Sequence, residues 1–365
     1  MAKYEDINQW LREKIADGTF AIGDKIPSEN ELALMFGYSR QTVRQAIGLL
    51  EAEGILIRAQ GSGTFVNRRA IKKNHSPTMR IGVIASCLDD FNFPGIIRGI
   101  ESVLGEHHYT ISLCITHNRQ TNEETALRKI LAGGVDGLIV EGTKTALPNV
   151  NELLYNEIMD RGIPLVFFNS YYRNFRESYV VMDDVRAGEL ATRALIRMGH
   201  TKIGGIFKSD DMQGLRRYKG MQDAMKKVGY SPSDQWLYWY TTEDLPYLFS
   251  GSLDSVLLSR FSGVTAMVCY NDQIAVALIR LLRQHAICVP DDVSIVSFDN
   301  SPLADVMSCN LTSVVYPALE IGQHAARLML KKLAAPTCRD CIILTPELKQ
   351  RSSILNLRDG DGKNY

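Results

Sequence analysis

The chain has 365 residues, which is too many for one ordinary hydrophobic core, so two or three domains are expected. It is 45% hydrophobic and 22% charged, as is usual for a soluble globular protein. Lys+Arg and Asp+Glu both number 41, so the formal net charge is zero and any nucleic-acid site must be local. The polar N-terminus lacks a signal peptide's apolar region, and no apolar run approaches the roughly 18 residues of a membrane span. These features predict a cytoplasmic protein.

The seven cysteines are scattered and lie mostly in apolar segments. An odd, scattered set is typical of reduced thiols in a cytoplasmic protein. Cys338 and Cys341 form a lone CxxC, and a zinc site would need two more ligands at matching spacing. We therefore expect neither a metal nor a cofactor.

Three helical patterns follow one another in the first seventy residues. Apolar residues recur at helical spacing between Ile7 and Ile15. Ser28 and Glu31 form a capping box that starts a second helix, which ends at the next glycine. Ser39 is the predicted N-cap of a third helix that continues to about Glu53. Two helices joined by a short glycine turn are the order of a helix-turn-helix motif.

The third predicted helix is amphipathic, and its polar face carries Arg40, Gln41 and Arg44. Arg can bond a guanine edge and Gln an adenine edge in the DNA major groove. Taken alone, the same pattern also fits a solvated helix face. The apolar face consists of four residues at helical spacing: Val43, Ala46, Ile47 and Leu50.

A two-stranded hairpin is predicted directly after this helix. Residues 55–58 and 64–66 are its strands, and residues 60–63 form a glycine-rich tip. Such a wing can lay its tip along a neighbouring groove, where glycines let backbone N–H groups approach phosphates. An ordinary hairpin would carry the same signature.

Positive charge is concentrated in this part of the chain. Residues 39–80 contain eight Lys or Arg against two acids, a footprint that is typical of a phosphate-binding face. Residues 69–79 are basic and polar and contain Pro77, which predicts a linker. The predicted domains are therefore residues 1–68, a linker at 69–79, and residues 80–358.

Three motifs, at residues 26–33, 36–44 and 61–66, closely resemble the winged-helix DNA-binding domain of GntR-type regulators. The resemblance covers residues 3–67, with Tyr38 where the family usually has Val. It implies base, phosphate and wing contacts from the helix-turn-helix and the hairpin tip. The predicted DNA-binding residues are Asn30, Ser39, Arg40, Gln41, Thr42, Arg44, Gln60 and Gly61.

From Arg80 onward, short apolar strands alternate with helices, which predicts an α/β fold with parallel sheets in two lobes. The predicted helices include 96–104, 123–131, 185–198, 214–228 and 272–284. The predicted strands are 81–85, 111–115, 137–140, 164–168, 203–207, 266–270, 294–298 and 342–344.

Polar and aromatic residues recur directly after these strands, where ligands bind in parallel sheets. Carboxylates, amides and guanidinium groups can bind vicinal hydroxyls, while an aromatic ring covers the C–H face of a sugar. Loops are polar in any protein, so a single such residue is weak evidence. Recurrence at successive strand ends predicts a pocket for a neutral sugar.

Residues 80–356 resemble the effector domain of LacI/GalR repressors, which has a periplasmic-binding-protein-like fold. Signatures include residues 134–140, 217–220, 269–272 and 289–300. The resemblance implies effector contacts from Arg217, Asn271 and Asp299. It also implies two lobes, 80–199 with 317–338 and 200–316 with 339–358. The predicted effector-binding residues are Phe93, Glu141, Asn169, Tyr171, Asp183, Lys208, Gln213, Arg217, Asn271 and Asp299.

A GntR-type head joined to a LacI-type domain resembles the arabinose-responsive repressors of Gram-positive bacteria, with further matches at residues 139–147, 182–185 and 205–214. The resemblance implies a homodimer that leaves operator DNA when L-arabinose binds. Gly142 stands where that family typically has Pro, and Ser297-Phe298 where it has Gly-Tyr. A different sugar, a nucleoside or an activating response remain alternatives.

Enzyme motifs are missing from the sequence: it has no GxxxxGK[ST], HExxH or GxSxG, and no GxGxxG after a strand. The adjacent acids at 183–184, 210–211 and 291–292 more often serve as a ligand and a helix cap than as a catalytic pair. We therefore expect a regulator without enzymatic activity.

Overall fold

The structure, a computed structural model, describes residues 3–21, 23–59, 61–67, 77–87, 91–306 and 310–358. The N-terminal head has three helices and a two-stranded antiparallel wing, in the predicted order. The predicted N-cap at Ser28, with its capping box, and the N-cap at Ser39 are both confirmed. The elements of the head are α1 (Lys3–Ala16), α2 (Glu29–Phe36), α3 (Arg40–Ala52), β1 (Leu56–Ala59) and β2 (Gly63–Val66).

The head has its own hydrophobic core, which the apolar faces of its helices form together. The four predicted apolar residues of α3 are buried, and they pack with Ile7, Leu11 and Leu32. Gly37 ends α2 in the left-handed region at φ 69°, where glycine avoids the strain of a side chain. The polar face of α3 is left at the surface.

Tyr38 ties the turn of the helix-turn-helix motif to the first helix. Its ring stacks on Phe36 at a centroid distance of 6.2 Å, and its hydroxyl donates to Asp6 Oδ2 at 2.8 Å. A valine at this position could not make the hydrogen bond. The substitution therefore keeps the apolar contact of the turn and adds a polar one to α1.

The larger part of the chain contains two six-stranded sheets. The first is wholly parallel, in the order β13-β7-β6-β5-β3-β4. Its strands are β3 (Arg80–Ala85), β4 (Thr110–Ile115), β5 (Gly137–Val140), β6 (Leu165–Phe168), β7 (Ser178–Met182) and β13 (Cys341–Leu344).

The second sheet has the order β14-β12-β11-β10-β8-β9, and only β14 runs antiparallel to its neighbour among the described strands. Its strands are β8 (Ile203–Lys208), β9 (Leu237–Tyr240), β10 (Ala266–Cys269), β11 (Ser294–Asp299), β12 (Thr312–Val315) and β14 (Glu347–Lys349).

Helices cover the faces of both sheets. Gly188 and Gly220 let α7 and α8 approach closely, since a Cβ at either glycine would lie 2.0 Å from a carbonyl oxygen of the other helix. No described helix is both long and apolar enough to cross a bilayer. The helices are α4 (Phe93–Glu106), α5 (Gln120–Gly133), α6 (Glu152–Asp160), α7 (Asp184–Arg197), α8 (Met212–Lys226), α9 (Asp254–Arg260), α10 (Asp272–Gln284), α11 (Leu303–Val306) and α12 (Ala318–Ala334).

The lobe boundaries differ from those predicted. Helix α7, expected in the first lobe, packs on α8 and on four strands of the second sheet, because its buried Ala187, Ala191 and Leu195 face that side. Strand β13, expected in the second lobe, pairs with β7 of the first sheet. The chain therefore crosses between the lobes after β7, after β12 and between β13 and β14.

Candidate functional site

The face of the head that was predicted to contact DNA is exposed. Arg40, Gln41 and Arg44 lie at the surface at the start of α3, and Asn30 is exposed on α2. Ser39 Oγ accepts from the backbone N–H of Thr42 at 3.2 Å. Gly61 is exposed at the tip of the wing, whereas Gln60 lies outside the described residues. The start of α3 and Gly61 at the tip of the wing are thus both accessible.

One carboxylate organises the cations of this face. Glu29 accepts from Arg44 Nη2 at 2.9 Å and from Arg58 Nη2 at 3.1 Å, and Arg58 Nε also bonds Glu51 at 3.1 Å. The pKa of Glu29 is lowered from its ordinary value. The main cause is the hydrogen bond from the Arg44 guanidinium, and burial acts in the opposite direction. The side chain of Arg44 remains 67% exposed and that of Arg58 remains 47% exposed. Glu29 was not among the predicted DNA-binding residues, and Arg58 was counted only in the local excess of positive charge.

A cleft of about 300 Å³ lies between the two lobes, at the carboxyl ends of both sheets. Five of the predicted effector-binding residues line it: Glu141, Asn169, Lys208, Gln213 and Asn271. The other lining residues are Ser86, Cys87, His117, Asn118, Gly142, Ser170, Asp211, Tyr240, Thr242, Leu245, Tyr270, Gln273 and Ile274.

Asn169 is the centre of the first-lobe wall of the cleft. Its Nδ2 donates to Glu141, whose other oxygen accepts from the backbone N–H of Ser86 at 2.6 Å. Its Oδ1 accepts from Gln213 Nε2 of the second lobe at 2.8 Å and from the hydroxyl of Tyr316 at 2.5 Å. One amide therefore joins both lobes and the crossover that follows β12.

Lys208 is the cation of the second-lobe wall. Its Nζ lies 3.2 Å from Asp211 and 3.5 Å from Asp210. Burial opposes the charged form, but the two carboxylates outweigh it and raise the pKa of Lys208 above its ordinary value. Asp211 also accepts from Tyr270 Oη at 2.7 Å and caps α8 through the Gly214 N–H at 2.8 Å. The charge is therefore held in place by acceptors that are themselves fixed.

The two lobes also meet at the rim of the cleft. Asn118 Nδ2 donates to Thr242 Oγ1 at 2.6 Å, and Lys144 Nζ lies 2.6 Å from a Glu243 oxygen. Asn118 has a left-handed backbone, φ 52°, in the loop after β4. Thr242 follows β9, which is not among the strands predicted from the sequence, so proximity to a predicted strand end could not identify it.

Five predicted effector-binding residues do not line the cleft, and three of them are held elsewhere by packing or capping. Phe93 begins α4 and its side chain points into the hydrophobic core of the two lobes, 9% exposed. Asp183 caps α7 by accepting from the Arg186 N–H at 3.0 Å. Tyr171 stacks on Tyr179 beside another pocket. Each lies near a strand end or crossover, but packing turns its side chain away from the cleft.

Arg217 and Asp299, which were also predicted to contact the effector, lie behind the cleft wall. Arg217 is 2% exposed, donates to Asp184 Oδ1 at 3.0 Å and to the Tyr270 carbonyl at 2.6 Å, and lies 4.5 Å from the Phe298 ring centre. Asp299 supplies a further negative charge beside Arg217. Burial raises the pKa of Asp184 to about 6, although Arg217 opposes the shift. This arrangement supports Tyr270, which does line the cleft.

A buried carboxylate supports the cleft from the first lobe. Glu123 of α5 is fully buried and accepts from the side chains of Asn151 at 2.8 Å, Tyr155 at 2.8 Å and Tyr172 at 2.9 Å. It also accepts from the backbone N–H of Thr143 at 3.3 Å. Burial raises the pKa of Glu123 despite these donors. The loop that carries Glu141 and Gly142 is thus fixed from beneath.

Residues 3–66 match the sequence family of bacterial regulatory proteins of the gntR type, and residues 192–354 match the family of periplasmic binding protein-like domains. The arabinose metabolism transcriptional repressor of Halalkalibacterium halodurans is 36% identical over 99% of this chain and 98% of its own. The arabinose metabolism transcriptional repressor of Geobacillus stearothermophilus is also 36% identical, over 97% of this chain and 98% of its own. A crystal structure of the transcription regulator CcpA of Lactococcus lactis superposes with a TM-score of 0.66 at 26% identity, covering 75% of this chain and 98% of that one.

A GntR-type DNA-binding head and a two-lobed ligand-binding domain define this chain as a transcription regulator. Its similarity to the two repressors extends over nearly the whole length of each protein. The chain belongs to the family of arabinose metabolism transcriptional repressors.

We predict that Glu123→Gln lowers the free energy of unfolding by about 1–3 kcal/mol, because an amide NH2 group, which cannot accept, would replace a carboxyl oxygen that accepts from the surrounding donors. A raised pKa in the fold means that the carboxyl group stabilises most at low pH and less as pH rises through that pKa. The loss of free energy of unfolding in Glu123→Gln, relative to the unmodified chain, should therefore be larger at about pH 5 than at about pH 8 when measured by urea denaturation.

Glu124→Gln is the matched control, since Glu124 is the neighbouring residue and, among the described residues, makes only a surface ion pair with Arg128. We expect a change below about 0.5 kcal/mol at both pH values. A deficit for Glu123→Gln that grows with pH would contradict the burial argument.

Proposed function

We propose that this chain is an L-arabinose-responsive transcriptional repressor that acts in the cytoplasm as a homodimer. The observation that carries the proposal is the cleft, which is bounded by polar side chains of both lobes in a chain similar throughout to named arabinose repressors. Two heads held by associated large domains would bind a two-fold-related operator. We propose no catalytic role for the carboxylates of the cleft, because they serve as hydrogen-bond partners and caps.

The chemistry of the cleft suits a small polyhydroxylated ligand. Asn169, Gln213 and Asn271 can each donate and accept, Glu141 accepts, and Lys208 donates. The rings of Tyr240 and Tyr270 lie in the same lining and can cover the C–H face of a sugar ring. A volume of about 300 Å³ is at the lower end for ligand pockets, which favours a monosaccharide.

The sugar would act by changing the balance between two arrangements of the lobes. A ligand that contacts Asn169 and Gln213 together favours the closed arrangement, in which these residues are close. The heads would respond through residues 77–79, because the backbone N–H groups of Thr78 and Met79 donate to Asp136 of the first lobe at 2.9 and 3.0 Å. Movement of that lobe would thus reposition the head.

For the head, we predict that Arg44→Ala weakens operator binding by tenfold to a hundredfold, about 1–3 kcal/mol, because an exposed guanidinium on α3 is lost. The measurement is fluorescence anisotropy with a DNA duplex that the full chain has selected from a random pool. Lys14→Ala removes one positive charge from α1 and is the control, for which little change is expected. Equal affinities for Arg44→Ala and the unmodified chain would refute the assignment of this face.

For the cleft, we predict that L-arabinose binds the full chain in calorimetry and that Gln213→Ala weakens this binding at least about tenfold. Gln213 lines the cleft and bonds Asn169 across it. Gln222→Ala is the control on the same helix, since Gln222 bonds only Tyr218 at 3.1 Å among the described residues.

Unchanged affinity of Gln213→Ala for L-arabinose would contradict the assignment of the cleft as the sugar-binding site. Binding of D-ribose, but not of L-arabinose, by the unmodified chain would be consistent with that assignment and would reject L-arabinose as the ligand.

A further inference from the structure

A second concavity, of about 470 Å³, lies on the first lobe and shares no lining residue with the cleft. It lies beside the segments that precede β7 and β13, and we call it the arginine pocket. Its walls include three arginines, two tyrosines and one glutamate: Arg173, Arg176, Arg339, Tyr171, Tyr179 and Glu177.

The arginine pocket has an excess of positive charge. Its three arginines are exposed, and within the described residues none of them makes a hydrogen bond or an ion pair. Its carboxylate, Glu177, is already paired with the buried ammonium group of Lys332. Three guanidinium groups therefore line one concavity whose only carboxylate among the described residues is paired with another cation, and an anion placed there would relieve their mutual repulsion.

The aromatic wall of the pocket is held by ring stacking and by a contact from the second lobe. Tyr171 lies on Tyr179 with ring centroids 4.1 Å apart and planes inclined by 3°. Arg216 of α8 donates to the hydroxyl of Tyr171 at 2.9 Å and lies 5.1 Å from its ring centre. The wall is thus held from both lobes before any ligand arrives, which lowers the entropy lost on binding.

We propose that the arginine pocket binds a small phosphate-bearing metabolite, a ligand distinct from the sugar of the cleft. Guanidinium groups match phosphate oxygens in geometry and can bind them through paired hydrogen bonds. The side chains of Tyr171, Tyr179 and Phe175 in the lining would contact the organic part of a phosphate ester. A DNA backbone presents its phosphates along an extended line, whereas these three cations surround one concavity, so the geometry favours a small molecule.

The test is calorimetry of the full chain with glycerol 3-phosphate, inorganic phosphate and glycerol at constant ionic strength. We expect saturable binding of glycerol 3-phosphate with one site per chain, weaker binding of inorganic phosphate, and none of glycerol. The double substitution Arg176→Gln with Arg339→Gln should lower the affinity for glycerol 3-phosphate at least tenfold, and Arg173→Gln alone should also weaken it. Arg128→Gln, an exposed arginine on α5, should leave the affinity unchanged.

Three results would overturn the proposal. One is the lack of saturable glycerol 3-phosphate binding, and another is unchanged binding in the double variant. Equal affinity for inorganic phosphate would reject a phosphate ester as the ligand. If the double variant lost DNA affinity while the unmodified chain bound no glycerol 3-phosphate, the pocket would belong to the DNA interface instead.

Discussion

The hydrogen bond between Gln213 and Asn169 joins the two lobes across the cleft, and the arrangement of the large domain depends on the lobes meeting in this way. Each lobe has a sheet whose parallel strands end at the cleft, so the loops that follow these strands offer their polar residues at that edge. Because the chain crosses between the lobes three times, they remain one unit while their separation can change. A ligand that bonds both edges is therefore able to select one arrangement.

The buried charges explain how polar residues are kept in position at this edge. Glu123 lies beneath the loop of the first lobe, and Arg217 with Asp184 lies behind Tyr270 of the second. Such groups are costly to bury unless hydrogen bonds satisfy them, and here those bonds reach the backbone of the cleft walls. The head uses the same principle at its surface, where Glu29 holds Arg44 and Arg58 together.

Local sequence signals predicted much of the fold. The eight predicted strands of the large domain agree with the structure to within one residue, because continuous apolar runs between loops are strong signals. The long helix α12 and the strands β7, β9, β12 and β14 were not predicted. The short strand β14 has only one half-buried residue between two exposed ones, so its place in the sheet depends on pairing with β12.

The site was predicted in part, since proximity to a strand end identified Asn169 and Lys208 but could not show that Tyr171 and Asp183 turn away.

In the proposed function, a sugar in the cleft controls how tightly the head binds DNA, although the head contains none of the cleft residues. The most direct measurement is the anisotropy of a selected DNA duplex bound to the full chain, titrated with L-arabinose and, separately, with D-xylose. We expect saturating L-arabinose to lower the affinity for DNA by about tenfold or more, within the usual range of coupling free energies. Unchanged or tighter DNA binding at a concentration of L-arabinose that fills the cleft would contradict control of the head by the sugar.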